Sequence, residues 1–126
     1  MNQKTNFPQF PAYACEGDRI EWTAEGFDIV ARLVCDTDHK ATEDECYDPI
    51  AVNRWRNDEW FFVGVVLSVS RNGVELSDHA ASLWGIECNY SDTSNAYLTE
   101  AAQQLEAEAL ATARAEMARI RKALTA

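Results

Sequence analysis

The stretch WFFVGVVLSVSRNGVEL, Trp60 to Leu76, decides the fold. From Trp60 to Ser70, β-branched and aromatic residues dominate, the composition that suits a pleated and largely buried strand, and Gly64 marks a bend or bulge. Asn72 and Gly73 follow. Both tolerate positive φ, so the pair closes a tight turn and returns Val74–Leu76 antiparallel to the first strand. The next stretch, SDHAASLWGIEC, is apolar enough to cross a core through Trp84 and Ile86, and leaves strand and irregular structure both open.

Upstream, RIEWT (Arg19 to Thr23) alternates, Glu25-Gly26 interrupts, and FDIVARLVC (Phe27 to Cys35) alternates again with Phe27, Ile29, Ala31, Leu33 and Cys35 on one face. That pattern predicts a second hairpin. The opposite face of its second strand is only half polar, which implies partial cover. Downstream, from about residue 95 to 124, Leu98, Ala102, Leu105, Ala109, Ala113, Met117, Ile120 and Leu124 recur at spacings of three and four without Gly or Pro. An amphipathic helix follows from that period. Asp48 as cap and Pro49 at the first position predict a short helix over IAVNRWR. Residues 1–14 hold all but one of the prolines and read as an extended arm whose Phe7, Phe10 and Tyr13 pack onto the domain or a partner.

The expected fold is therefore α+β: one domain over residues 15–126, with an antiparallel sheet of four or five strands and a long C-terminal helix across one face. Its core is expected to contain Ile20, Trp22, Phe27, Ile29, Leu33, Phe62, Val65, Leu67, Val69, Trp84, Ile86, Leu98, Leu105 and Met117.

With 126 residues, 47% hydrophobic, the chain is long and apolar enough for one real core. Its net charge of −10 disfavours direct nucleic-acid binding, which draws on Lys and Arg to displace counterions from phosphates. The acid is clustered. Between Glu16 and Asp48 stand 11 acids against 3 bases, and between Glu75 and Glu108 stand 7 acids and no base. Bases gather instead at Arg114, Arg119, Arg121 and Lys122, where they complement the negative end of the helix dipole. The N-terminus lacks an apolar core of signal-peptide length, and the longest apolar run, Trp60 to Leu67, is too short for a bilayer, so a cytoplasmic protein with no membrane contact is expected. Its four cysteines are then reduced thiols, with disulfides open only in an oxidising compartment.

CDTDHKATEDECYD, Cys35 to Asp48, packs two cysteines, a histidine and six carboxylates into fourteen residues. Zinc is a weak reading: Cys35, His39 and Cys46 are the candidate ligands, with Cys88 or His79 as a distant fourth, yet no CxxC pair exists and Cys35 continues the inward face of its strand. Calcium fails on spacing, because Lys40, Ala41 and Tyr47 stand where an EF-hand needs a ligand, a glycine and a bidentate Glu. A catalytic reading has only His39 and His79 among acids, without a GxSxG, an HExxH or a glycine-rich phosphate loop, so no cofactor and no enzyme is expected. The remaining reading is a surface. Asp36, Asp38, Glu43, Asp44, Glu45 and Asp48 would make a negative field that steers toward basic protein grooves, with Tyr47, Trp22 and Tyr90 as aromatic anchors; a merely solubilising face is the bland alternative.

Residues Asp58 to Leu110 resemble a group of small tailed-bacteriophage proteins through the segments GVVLSVSRNGVEL, ASLWGIE and YLTE. The resemblance covers less than half of the chain, leaves out its acidic N-terminal half, and carries no site residues with it. It implies a phage origin and not a mechanism, and it raises above the solubilising face the reading that the acidic clusters offer: an inhibitor, in the host cytoplasm, of a bacterial defence complex of anti-CRISPR or anti-restriction type, mimicking DNA in a basic groove. A metal-binding enzyme or regulator, or a virion assembly protein, is the alternative. The length of the helix leaves a monomer and a helix-paired homodimer both open.

Overall fold

The computed structural model describes residues 7–90 and 94–125. Strand β1 (Arg19–Ala24) and strand β2 (Phe27–Cys35) form the first hairpin; a 3-10 turn (Ala41–Glu43) and helix α1 (Pro49–Arg56) follow. Strand β3 (Phe61–Arg71), strand β4 (Val74–Cys88) and helix α2 (Ala96–Thr125) complete the chain. The sheet is an antiparallel meander in the order β1-β2-β3-β4, so the architecture is α+β with four strands. No helix among the described residues is long and apolar enough to cross a membrane.

Both hairpins close on two residues of positive φ: Glu25 (52°) with Gly26 (84°), and Asn72 (52°) with Gly73 (79°). Such turns match the right-handed twist of the strands they join. Register then follows from the period of two. Phe27, Ile29, Ala31 and Leu33 of β2 face Val63, Val65, Leu67 and Val69 of β3 into one core, which α2 covers with Leu98, Ala101, Ala102, Leu105, Ala109, Leu110 and Ala113. The alanines bring the helix backbone close to the sheet. Beyond Ala113 no residue of α2 is buried, Met117 and Ile120 are half-buried, and Leu124 is exposed.

The arm joins this core. Phe10 and Ala14 are buried, Phe7 lies against Trp22 with ring centroids 4.6 Å apart, and the backbone N–H of Ala14 donates to Asn89 Oδ1 at 2.8 Å. Asn89 and Asn95, both at positive φ, also donate through their side-chain amides to Ala14 O and Ala12 O.

One core expectation is corrected. Trp84 stands 41% exposed, because β4 is a single fifteen-residue strand whose pairing shifts register opposite Val63 and Val65. The shift falls at Gly85 (φ +73°) and turns the indole onto the sheet face away from α2, where it lies flat on Gly64. A Cβ on Gly64 would stand 2.2 Å from the indole Cε3, so the glycine is the indole's seat. Trp22, Ile86 and Met117 pack against the core while remaining partly exposed.

Candidate functional site

The acidic stretch begins where β2 ends, and its first carboxylate turns inward. Asp36 is 7% exposed. Its Oδ1 accepts from the Asp38 N–H at 3.0 Å, and its Oδ2 accepts from the Gly85 N–H at 2.9 Å and lies 2.7 Å from His39 Nδ1. The donor from Gly85 is free because the bulge removes it from the ladder. Burial alone would raise the Asp36 carboxyl, but the two N–H donors and the neighbouring His39 outweigh it and hold it below the usual carboxylate range. Asp36 is therefore a structural knot, not part of a presented surface. His39 in turn lies on Gly85, where an added Cβ would come within 2.7 Å of Nε2.

A second, smaller core supports the rest of the loop. Ala41, Trp60 and Phe62 are buried together, with Tyr47, Val52, Trp55 and Tyr90 packed around them. The rings of Trp60 and Tyr90 are 4.8 Å apart, Trp60 and Phe62 5.2 Å, and Tyr47 and Trp60 5.1 Å, in tilted or edge-on arrangements. Trp60 Nε1 donates to Ala51 O at 2.9 Å, tying α1 to the cluster, and the Tyr47 hydroxyl donates to Glu87 of β4. Burial and then the Glu87 carboxylate push the Tyr47 phenol far above its ordinary value.

Outward from this pedestal, Asp44 accepts from the Cys46 N–H at 2.9 Å, and Asp48 caps α1 by accepting from the Ala51 N–H at 2.8 Å. Asp38, Glu43 and Glu45 are exposed, and among the described residues their carboxylates make neither an ion pair nor a side-chain hydrogen bond. Of six candidate carboxylates, three are thus unengaged, two are exposed with local backbone duties, and one is buried.

The aromatic candidates separate. Tyr47 and Tyr90 belong to the pedestal, whereas Trp22 sits opposite Ile29 near the far end of β2, facing α2, with its Nε1 donating to Glu106 Oε2 at 2.7 Å. The structure does not bring Trp22 to the acidic loop. Nor does it assemble Cys35, His39 and Cys46: among the described residues no three His, Cys, Asp or Glu side chains converge as metal ligands. Burial, then Glu16 and Asp36, push the Cys35 thiol up, and the Asp44 carboxylate does the same to Cys46, so both are poor nucleophiles. His79 lies 2.8 Å from Ser82 Oγ, which also accepts from Trp84 Nε1 at 3.1 Å. These groups lie on the open sheet face, and among the described residues no carboxylate orients the imidazole as a hydrolytic triad requires.

No protein-family model matches the chain, and no curated protein or solved structure matches it either.

Proposed function

We propose that this protein is an acidic binding module that occupies a Lys- and Arg-lined nucleic-acid groove on a host protein, as a phage-encoded inhibitor of a bacterial defence complex. The observation that carries the reading is the free trio Asp38, Glu43 and Glu45 on a loop fixed from beneath by the Asp36 knot and the aromatic pedestal. A loop already held in one shape loses little conformational freedom on binding, so its charges act as a template rather than as a solvated tail. The likeness of Asp58 to Leu110 to phage proteins supports the setting. The net charge of −10 supports steering toward a basic partner, faster at low salt than at high salt.

The test uses the full chain as bait in a bacterial lysate, alongside a variant with Asp38→Lys, Glu43→Lys and Glu45→Lys. The reading expects a captured nucleic-acid-binding protein that duplex DNA displaces and that the triple variant, folded by circular dichroism, fails to hold. Retention of the same protein by the folded triple variant, or indifference to DNA, overturns the decoy mechanism.

A further inference from the structure

Within the first half of the acidic stretch lies a cleft of about 440 Å³ between the residues that follow β2, the end of α1 and the start of β3, lined among others by His39, Lys40, Trp55, Arg56, Phe61 and Phe62. We propose that this cleft binds a planar aromatic ring carrying an anionic group, a mononucleotide being the simplest ligand of that class. Three observations carry it, none of which depends on the proposed partner. Trp55, on the edge of the second aromatic core, and Phe61, at the start of β3, are half-buried at the cleft wall and offer ring area to a stacking ligand. Lys40 and Arg56 are exposed, both line the cleft, and among the described residues neither makes an ion pair. The His39 imidazole is seated on Gly85 and held through Nδ1 by a carboxylate that is itself only 4% exposed, so a half-exposed ring stands in one fixed orientation at the cleft wall.

A buried carboxylate that orients an imidazole at the wall of a cleft is the arrangement that positions a histidine for a ligand. Arg56 supplies a planar fork suited to two oxygens of a phosphate or carboxylate, and Lys40 a second positive charge on the same cleft. Asp36 and Asp58 also line the cleft and limit the negative charge it accepts, favouring a single phosphate over a triphosphate.

The experiment titrates the full-length protein with adenosine 5′-monophosphate while following the His39 and Trp55 ring resonances by NMR, with adenosine and ribose 5-phosphate as separate arms. Saturable shifts confined to the cleft are expected with the whole ligand, and either half alone should bind at least about fivefold more weakly, since stacking of one base contributes roughly 1 to 3 kcal/mol. Arg56→Gln, at an exposed position outside both cores, is expected to weaken binding by a similar factor while sheet resonances stay in place. Trp55→Ala should do the same where it folds. Absence of saturation at millimolar nucleotide, or equal affinity in Arg56→Gln, overturns the assignment.

Discussion

The side chains of Asn89 and Asn95 hold each other: Asn95 Nδ2 donates to Asn89 Oδ1 at 2.9 Å, and Asn95 Oδ1 accepts from the Asn89 N–H at 2.7 Å. Both residues adopt positive φ, 64° and 61°, a region in which Asn is the best tolerated residue after Gly. The pair joins the end of β4 to the start of α2, and its remaining bonds grip the arm at Pro11, Ala12 and Ala14. Asn95 is 1% exposed, so its amide has no water to fall back on. Asn95→Ala is expected to cost about 2 to 4 kcal/mol, from unpaired buried oxygens and a left-handed backbone without Asn. Asn95→Asp should be at least as severe, since it sets a carboxylate against the oxygens the amide now donates to. Urea unfolding measures both, and protease cleavage before Ala14 should accompany the loss.

Gly64 and Trp84 form a second pairing that a denaturation experiment can isolate. Gly64→Ala is expected to destabilise by about 1 to 3 kcal/mol, because the new methyl meets the indole rather than a flexible chain end. In a Trp84→Ala background the same substitution should cost little. The two changes should therefore couple strongly in a double-mutant cycle, and additive costs would show that the indole is not what Gly64 accommodates.

Asp36 makes stability depend on pH in a predictable direction. Its folded carboxyl lies below the ordinary range, so the stabilisation it contributes is fully present above about pH 4, the value for an unfolded Asp, and is lost as pH falls through the folded value. Asp36→Asn should flatten the stability curve below pH 4. At neutral pH it should cost about 1 to 3 kcal/mol, because an amide offers one acceptor where the carboxylate serves Asp38, Gly85 and His39. Thermal melts of both proteins across pH 2 to 7 measure the two effects.

Local signals were legible in the sequence, and long-range ones were not. Asn72-Gly73, Asp48-Pro49 and the three-four spacing of α2 act within a few residues, and each element formed where its signal lies. The expected hairpin of β1 and β2 formed because its alternation fixes both register and face. Apolar character misplaces Trp84 because the register shift at Gly85, one of three along the β3–β4 pairing, reverses which side chains point inward, and hydrophobicity alone does not report a bulge. Asp36 looked like its neighbours for a related reason: its partner Gly85 is 49 positions away, and only the paired sheet brings the two together. A usable clue lies in Gly64 and Gly85, glycines inside two strongly apolar segments, the second directly after Trp84.

Tyr47→Phe tests whether the pedestal braces the loop. The ring keeps its packing against Trp60 and Tyr90, so the change removes only the donor to Glu87. A cost of about 1 to 2 kcal/mol is expected from a half-buried carboxylate left without its partner. Amide exchange should quicken around residues 41–48 before it changes in β2 or β3, since the bond ties the loop to β4 alone. Uniform quickening throughout the sheet would show instead that the loop and the main core unfold as one unit.

The carboxylates of the acidic loop divide into those that shape it and those that only charge it, and stability measurements can separate them without any partner. Asp48→Lys removes the cap that the Ala51 N–H donates to and is expected to cost about 1 kcal/mol, the usual value of an N-cap carboxylate. Asp44→Lys should also destabilise, through the turn it closes on the Cys46 N–H. Asp38→Lys, Glu43→Lys and Glu45→Lys have no such duty, and each relieves repulsion in a chain of net charge −10, so each should leave stability within about 0.5 kcal/mol or raise it. The gain should shrink as added salt shortens the screening length from about 10 Å at 0.1 M toward about 3 Å at 1 M. A free trio that stabilises nothing and adds to the chain's self-repulsion is what a binding surface would present, whereas substantial destabilisation on reversing these three would assign them to the fold and remove the main support for a docking role.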